Sequence, residues 1–307
     1  MNSTLNGTTP SPNQSSTTNK PSNSNKDELE EYHTALLVIY TVVLISGTIS
    51  LTLMMRIMKS TTTSTMSIAV LNLIFTHFIF LLTVPFRIYY YTVHKWELGN
   101  EWCKITSSMI HIHMYMSFAL YVIILITRLL TFYKKACQVA SFRRMHAILI
   151  SFLVWIIVLI TVPCIIHFNY GKDNNDNNNA THCFQFGKSI VESVLFLNYT
   201  ISILIIVIAI ALTAFQANVL WVLYKKHREG CTFQQEFGAQ LKSLCFALIM
   251  VVCFIPYHIF RLSYLNNIKE LEGTNEIFLS ITTFNCLDML TFLGRRSCNI
   301  CFVGKAA

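Results

Sequence analysis

Charge is what this chain lacks most. Only 12% of its 307 residues are Asp, Glu, Lys or Arg, against about 25% in an ordinary soluble domain. That excludes a water-solvated surface over most of the length. Catalytic constellations are missing too: no pair of histidines or carboxylates stands at a spacing suited to acid–base work. The chain also shows no internal repeat, a feature that transport folds tend to carry. A positively charged stretch running into an apolar core is absent from the start, so no cleavable signal peptide is expected and the first span serves as insertion signal.

What is there instead is hydrocarbon, 53% of all residues. A membrane helix needs roughly 20 apolar residues, and by that measure seven runs qualify, at about 35–56, 66–91, 105–132, 147–168, 190–224, 242–265 and 277–293. The seventh is short and contains Asp288; six helices plus a re-entrant segment is the alternative. The fold class is therefore an all-α membrane protein, a seven-transmembrane helix bundle. Basic residues cluster after the odd-numbered runs: Arg56/Lys59, Lys134/Lys135 with Arg143/Arg144, Lys225/Lys226/Arg228 and Arg295/Arg296/Lys305. The even-numbered exits mix signs, as in GKDNNDNNN and IKELEGTNE. This asymmetry puts the N-terminus outside and the C-terminus in the cytoplasm. The net charge of +8 is then a topology signal that also suits anionic membrane lipids, and no nucleic acid partner is expected.

Three regions follow. Residues 1–33 are too rich in Asn, Ser and Thr to fold and read as a disordered, glycosylated extracellular tail. Residues 34–294 form the membrane domain, and 295–307 a short cytoplasmic tail. Asn2, Asn6, Asn13 and Asn179 start N-x-S/T sequons on the outer side; a further match at Asn198 lies inside a span, beyond a glycosyltransferase's reach. Of ten cysteines, Cys103 and Cys183 alone fall in the outer layer, which makes them a disulfide candidate. Cysteines within spans, Cys286 among them, read as small apolar filler. Cys298 and Cys301, beside Arg295 and Arg296, are palmitoylation candidates.

Ordered landmarks narrow the class. Arg128 in ILITRLLTF lies 25 residues after Cys103, Trp155 sits in mid-span four, and CFIPYH (Cys253–His258) and CLDMLTF (Cys286–Phe292) fall in spans six and seven. Pro85 in LLTVPFR and the Trp96–Gly99 stretch complete the set. In order and membrane depth they resemble the rhodopsin-like (class A) G-protein-coupled receptors. The resemblance implies a receptor, not an enzyme, at the plasma membrane. Its partners would be an extracellular ligand, a heterotrimeric G protein and arrestin, and it implies no cofactor. A retinal pigment is disfavoured because span seven has no lysine for a Schiff base.

The resemblance also assigns switch residues, and the departures fall on them. Arg128 would face the transducer, but its neighbour is Thr127 instead of an acid. Glu236, 20 residues before Pro256, is then the acid available to restrain Arg128, unless it is simply solvated. Phe254 replaces the tryptophan of the span-six motif; Met289 and Phe292 replace the proline and tyrosine of span seven. His77 stands where the family has a sodium-binding aspartate. A histidine in mid-membrane costs roughly 2.5–3.5 kcal/mol or faces a partner. The expected partner is Asp288, with Ser117 beside it and sodium regulation absent. The alternative is a neutral His77 bonded to backbone or water.

The expected ligand pocket comprises Arg87, Ile110, His111, Met114, Tyr257, His258 and Arg261. Ile110 stands where amine receptors have an aspartate. Arg87 and Arg261 suit a carboxylate or phosphate, so the ligand is expected to be anionic or lipid-like. Alternatively both arginines pair with Glu276 or Glu192 at the rim. His111 and His113 lie about 200° apart on a helix and cannot chelate one ion together; no metal is expected. An atypical binding or scavenging receptor with weak coupling is the alternative function.

Overall fold

The computed structural model describes residues 24–58, 65–133, 140–169, 183–184, 192–226, 231–268 and 271–292. Their order is α1 (Ser24–Met58), α2 (Thr65–Val93), α3 (Asn100–Tyr133), α4 (Ala140–Asn169), α5 (Glu192–Lys226), α6 (Cys231–Tyr264) and α7 (Glu272–Ile281), which runs on into a 3₁₀ segment, Thr282–Phe292.

Six of these helices, α1 to α6, are long and apolar enough to cross a membrane. Their exposed side chains are largely Val, Ile, Leu and Phe, as a hydrocarbon solvent requires. Burial ranks them. In α3, 61% of the apolar span is buried, against 11% in α4, so α3 is the axis of the bundle and α4 its outer buttress. Around it α1 packs on α2, α2 on α3, and α5 along α6, while the 3₁₀ segment closes the ring against α1, α3 and α6. Trp155 Nε1 on α4 donates to Asn72 Oδ1 on α2 (3.2 Å), and Gln216 on α5 donates to Gln240 Oε1 on α6 (2.6 Å).

Three prolines stand inside helices: Pro85, Pro163 and Pro256. Each removes one backbone N–H and frees the carbonyl four residues earlier, a loss tolerated where the bundle itself surrounds the break. At Gly47 on α1, a Cβ would meet Leu81 Cδ2 at 3.0 Å and Cys286 Cβ at 3.6 Å. Glycine there lets α1 close on α2 and the 3₁₀ segment.

Two expectations need correction. Residues 24–33, assigned to the disordered tail, are helical. The seventh run is not one α-helix. Its α part ends at Ile281, and the rest is 3₁₀. The hydroxyls of Ser280, Thr282 and Thr283 bond the carbonyls of Ile277, Leu279 and Ser280, each three residues back. Such side chains compete for the carbonyls that an α-helix uses.

Candidate functional site

The Cys103–Cys183 disulfide closes as expected, with Cα atoms 5.7 Å apart. Its consequence is the placement of Phe184, which is buried at positive φ (71°). The ring packs edge-on against Tyr90 and Trp96 and lies 4.3 Å from the Arg87 guanidinium carbon. Trp96 is fixed in turn by donating Nε1–H to Gly99 O (2.7 Å).

Arg87 therefore sits under a roof, 1% exposed. It donates to Tyr40 Oη (3.2 Å) and Thr106 O (3.3 Å) and faces Glu276 at 3.6 Å. The rim alternative describes it: α1, α2, α3 and α7 meet on one guanidinium whose partners all come from the protein. Arg87, an expected ligand-pocket residue, is held here by partners from its own protein.

Arg261 is placed differently. It bonds Tyr257 Oη and Asn198 Oδ1 (2.5 Å) and borders a cavity of about 240 Å³ between α3, α4, α5 and α6. Ser107, His111 and Asn198 share its polar end. The remaining wall is mainly aliphatic, from Ile157, Val162 and Ile165 on α4 and Val194, Leu197 and Ile201 on α5, with Tyr115 and Thr161 also lining it. Ile157 and Leu197 are exposed to the lipid side, so they frame its mouth. Of the seven expected pocket residues, His111 and Arg261 line this cavity. Ile110, Met114 and Tyr257 are buried beside it, and His258 Nδ1 bonds Ser202 Oγ (3.2 Å) between α6 and α5.

Deeper in the bundle lies a polar chamber. His77 Nε2 donates to Asp288 from 3.3 Å, and Tyr121 Oη donates to Asp288 Oδ2 (2.5 Å). His77 Nδ1 faces His113 Nε2 at 2.9 Å. In a neutral His77 whose Nε2–H is directed at the carboxylate, Nδ1 accepts from His113 Nε2–H; a protonated His77 donates from both nitrogens and His113 Nε2 accepts. Cys286 Sγ is 3.5 Å from His77 Nδ1 and 3.6 Å from His113 Nε2. Phe80 stacks on His113 with ring centroids 4.2 Å apart. Ser117 does not join the pair: its hydroxyl has no hydrogen-bond partner among the described residues. One further turn along α3, Tyr121 takes the place expected for it.

Sequence reasoning missed Tyr121, weighed His113 only against His111, and read Cys286 as apolar filler. His113, Ser117 and Tyr121 follow at steps of four on one face of α3, and that spacing of polar groups was the available signal. Phe254 on α6 stands edge-on to both Tyr121 (6.1 Å) and Phe118 (5.7 Å), which connects the Pro256 turn to the chamber. Arg128 is half-buried on α3. The side chains of Glu236 and Phe292 lie outside the described residues, as do Asn2, Asn6, Asn13, Asn179, Cys298 and Cys301.

A membrane bundle of this order, with its loop bridged to the head of α3 and a polar chamber between α2, α3 and its last segment, defines a class of receptor. The sequence profile described as 7 transmembrane receptor (rhodopsin family) matches residues 47–290, and the chain belongs to that family, whose members are plasma-membrane receptors. It is 38% identical over 284 residues to the Homo sapiens protein called Probable G-protein coupled receptor 141, covering 90% of this chain and 92% of that one. Probable G-protein coupled receptor 34 of Pan troglodytes is 24% identical over 278 residues, 84% of this chain and 71% of its own. G-protein coupled receptor 171 of Rattus norvegicus is 27% identical over 258 residues, 80% and 74%.

Proposed function

We propose that this receptor, with its N-terminus outside, responds to an anionic, lipid-like extracellular ligand and passes the signal to a heterotrimeric G protein. The observation that carries the ligand class is the cavity bordered by Arg261. Its aliphatic wall suits an acyl chain arriving between α4 and α5 from the bilayer. Its polar end offers a guanidinium, which matches a phosphate or carboxylate in charge and shape. Family membership supports the G protein, and Arg128 at the far end of α3 is the residue to engage it. Arrestin and membrane lipids are partners on the same grounds, and Glu236 is the acid proposed to restrain Arg128 at rest.

The test is a panel of anionic, zwitterionic and cationic single-chain lipids, read by G-protein activation in cells. Activation by anionic lipids, lost in Arg261→Gln and in Arg128→Ala at equal surface expression, is expected. An undiminished response in Arg261→Gln would sink the ligand assignment. Thr127 in place of an acid beside Arg128 favours a second reading, a binding or scavenging receptor with weak coupling. Saturable lipid binding without G-protein activation in the wild type would select it.

A further inference from the structure

His77, His113 and Cys286 come from α2, α3 and the 3₁₀ segment, yet their donor atoms lie within 4.8 Å of one another. All three are 1–2% exposed. From this geometry we infer that they form a binding site for a single borderline-soft divalent cation, of which Zn2+ is the type. It rests on no assumption about the ligand or the transducer.

The distances carry the argument first. Zn–N bonds of about 2.0–2.1 Å and a Zn–S bond of about 2.3 Å in a tetrahedron separate two nitrogens by about 3.3 Å and a nitrogen from a sulfur by about 3.6 Å. The N···S separations are 3.5 and 3.6 Å, and the N···N separation is 2.9 Å. An ion therefore needs one edge of the triangle to open by about 0.4 Å, with three protein donors in place and a fourth position left for water, the arrangement of an open zinc site.

The surroundings agree. A histidine that ligates through one ring nitrogen commonly donates its other N–H to a carboxylate, which fixes the tautomer. His77 does this: Nε2 faces Asp288, leaving the Nδ1 lone pair toward Cys286 and His113. Tyr121 holds that carboxylate in place, and the stack on Phe80 holds the His113 ring. Charge also balances. A Cys286 thiolate and an ionised Asp288 supply two negative charges against two positive ones, so the loaded cluster is neutral in a medium that penalises net charge. From neutral His77, binding releases the Cys286 thiol proton; from a protonated His77 it releases the Nδ1 proton as well. In the neutral case the His113 proton moves from Nε2, where it serves the hydrogen bond to His77, to Nδ1. Two imidazoles and a thiolate suit zinc or copper and are poor donors for hard sodium.

Without metal, the same residues form a hydrogen-bonded chain from His113 through His77 to Asp288. Metal content distinguishes the two. Receptor purified from zinc-supplemented cells and dialysed against a weak chelator is expected to retain about one zinc per chain, read by elemental mass spectrometry. Cys286→Ser and His113→Gln should each lower retention at least about tenfold. Cys164→Ser, an exposed thiol on α4, should retain the wild-type amount. A second measurement needs no variant: zinc should slow alkylation of Cys286 during mild heating of the wild-type receptor, read by peptide mass spectrometry. Wild-type zinc at background level, retention unaffected by Cys286→Ser, or equal alkylation rates with and without zinc would each overturn the site.

Discussion

Arg87 and Arg261 are both buried cations near the disulfide end of the bundle, and they are used in opposite ways. Arg87 meets partners from its own protein: a phenol, a backbone carbonyl, a carboxylate and an aromatic face. Arg261 bonds Tyr257 and Asn198 and borders open volume. A buried charge whose partners are all internal holds helices together. One beside a cavity is the place proposed for an anion from elsewhere. Residue type alone assigns both arginines to a ligand; the location of their acceptors separates them.

The largest expected effect lies on the Arg87 side. Arg87→Ala removes two hydrogen bonds and a buried ion pair and empties the centre of four helices, so it should cost about 3–5 kcal/mol, seen as a collapse of thermal stability in purified receptor. Near wild-type melting would break the comparison outright. Cys183→Ser comes next, at about 2–5 kcal/mol. It frees Phe184 from its place over Arg87, and pairing it with Arg87→Ala should give less than the sum of the two losses. Arg261→Gln leaves Tyr257 and Asn198 partly served, so the stability loss should be about 1–3 kcal/mol, while response to an anionic lipid disappears. A stability loss as large as that of Arg87→Ala would place both arginines in the same structural role. The smallest effect is at Gly47. Gly47→Val should cost about 1–3 kcal/mol by overpacking against Leu81, with Gly47→Ala milder because the Leu81 side chain can yield. Thermal unfolding with a thiol-reactive dye reads both.

The bundle was legible because hydrocarbon length is a one-dimensional signal. So was the bridge between Cys103 and Cys183, where location left two candidates. The pairing of His77 with Asp288 followed from the cost of burying either alone. Beyond that, the third dimension intervened. His113 and His77 are 36 residues apart and Cys286 is 209 from His77; nothing along the chain says that they meet. Testing His111 against His113 compared two residues on opposite faces and so overlooked the partner of each. Cys286 was hidden for a further reason. Two residues apart on an α-helix, Cys286 and Asp288 would diverge by about 160°, but by about 120° in a 3₁₀ helix. The winding that lets both border one chamber accompanies hydroxyl–carbonyl bonds at Ser280, Thr282 and Thr283, which no apolar pattern records.

That winding makes the last segment a screw with two pitches. Eleven residues span about 22 Å at the 3₁₀ rise of about 2.0 Å and about 16 Å at the α rise of 1.5 Å. Rewinding Thr282–Phe292 from one to the other would draw its far end in by about 5 Å. Over the six steps from Thr282 to Asp288 it would turn the carboxylate by about 120°, away from His77 and Tyr121. A change in helix type at Thr282 thus becomes, without any hinge, a combined retraction and rotation at the other side of the membrane.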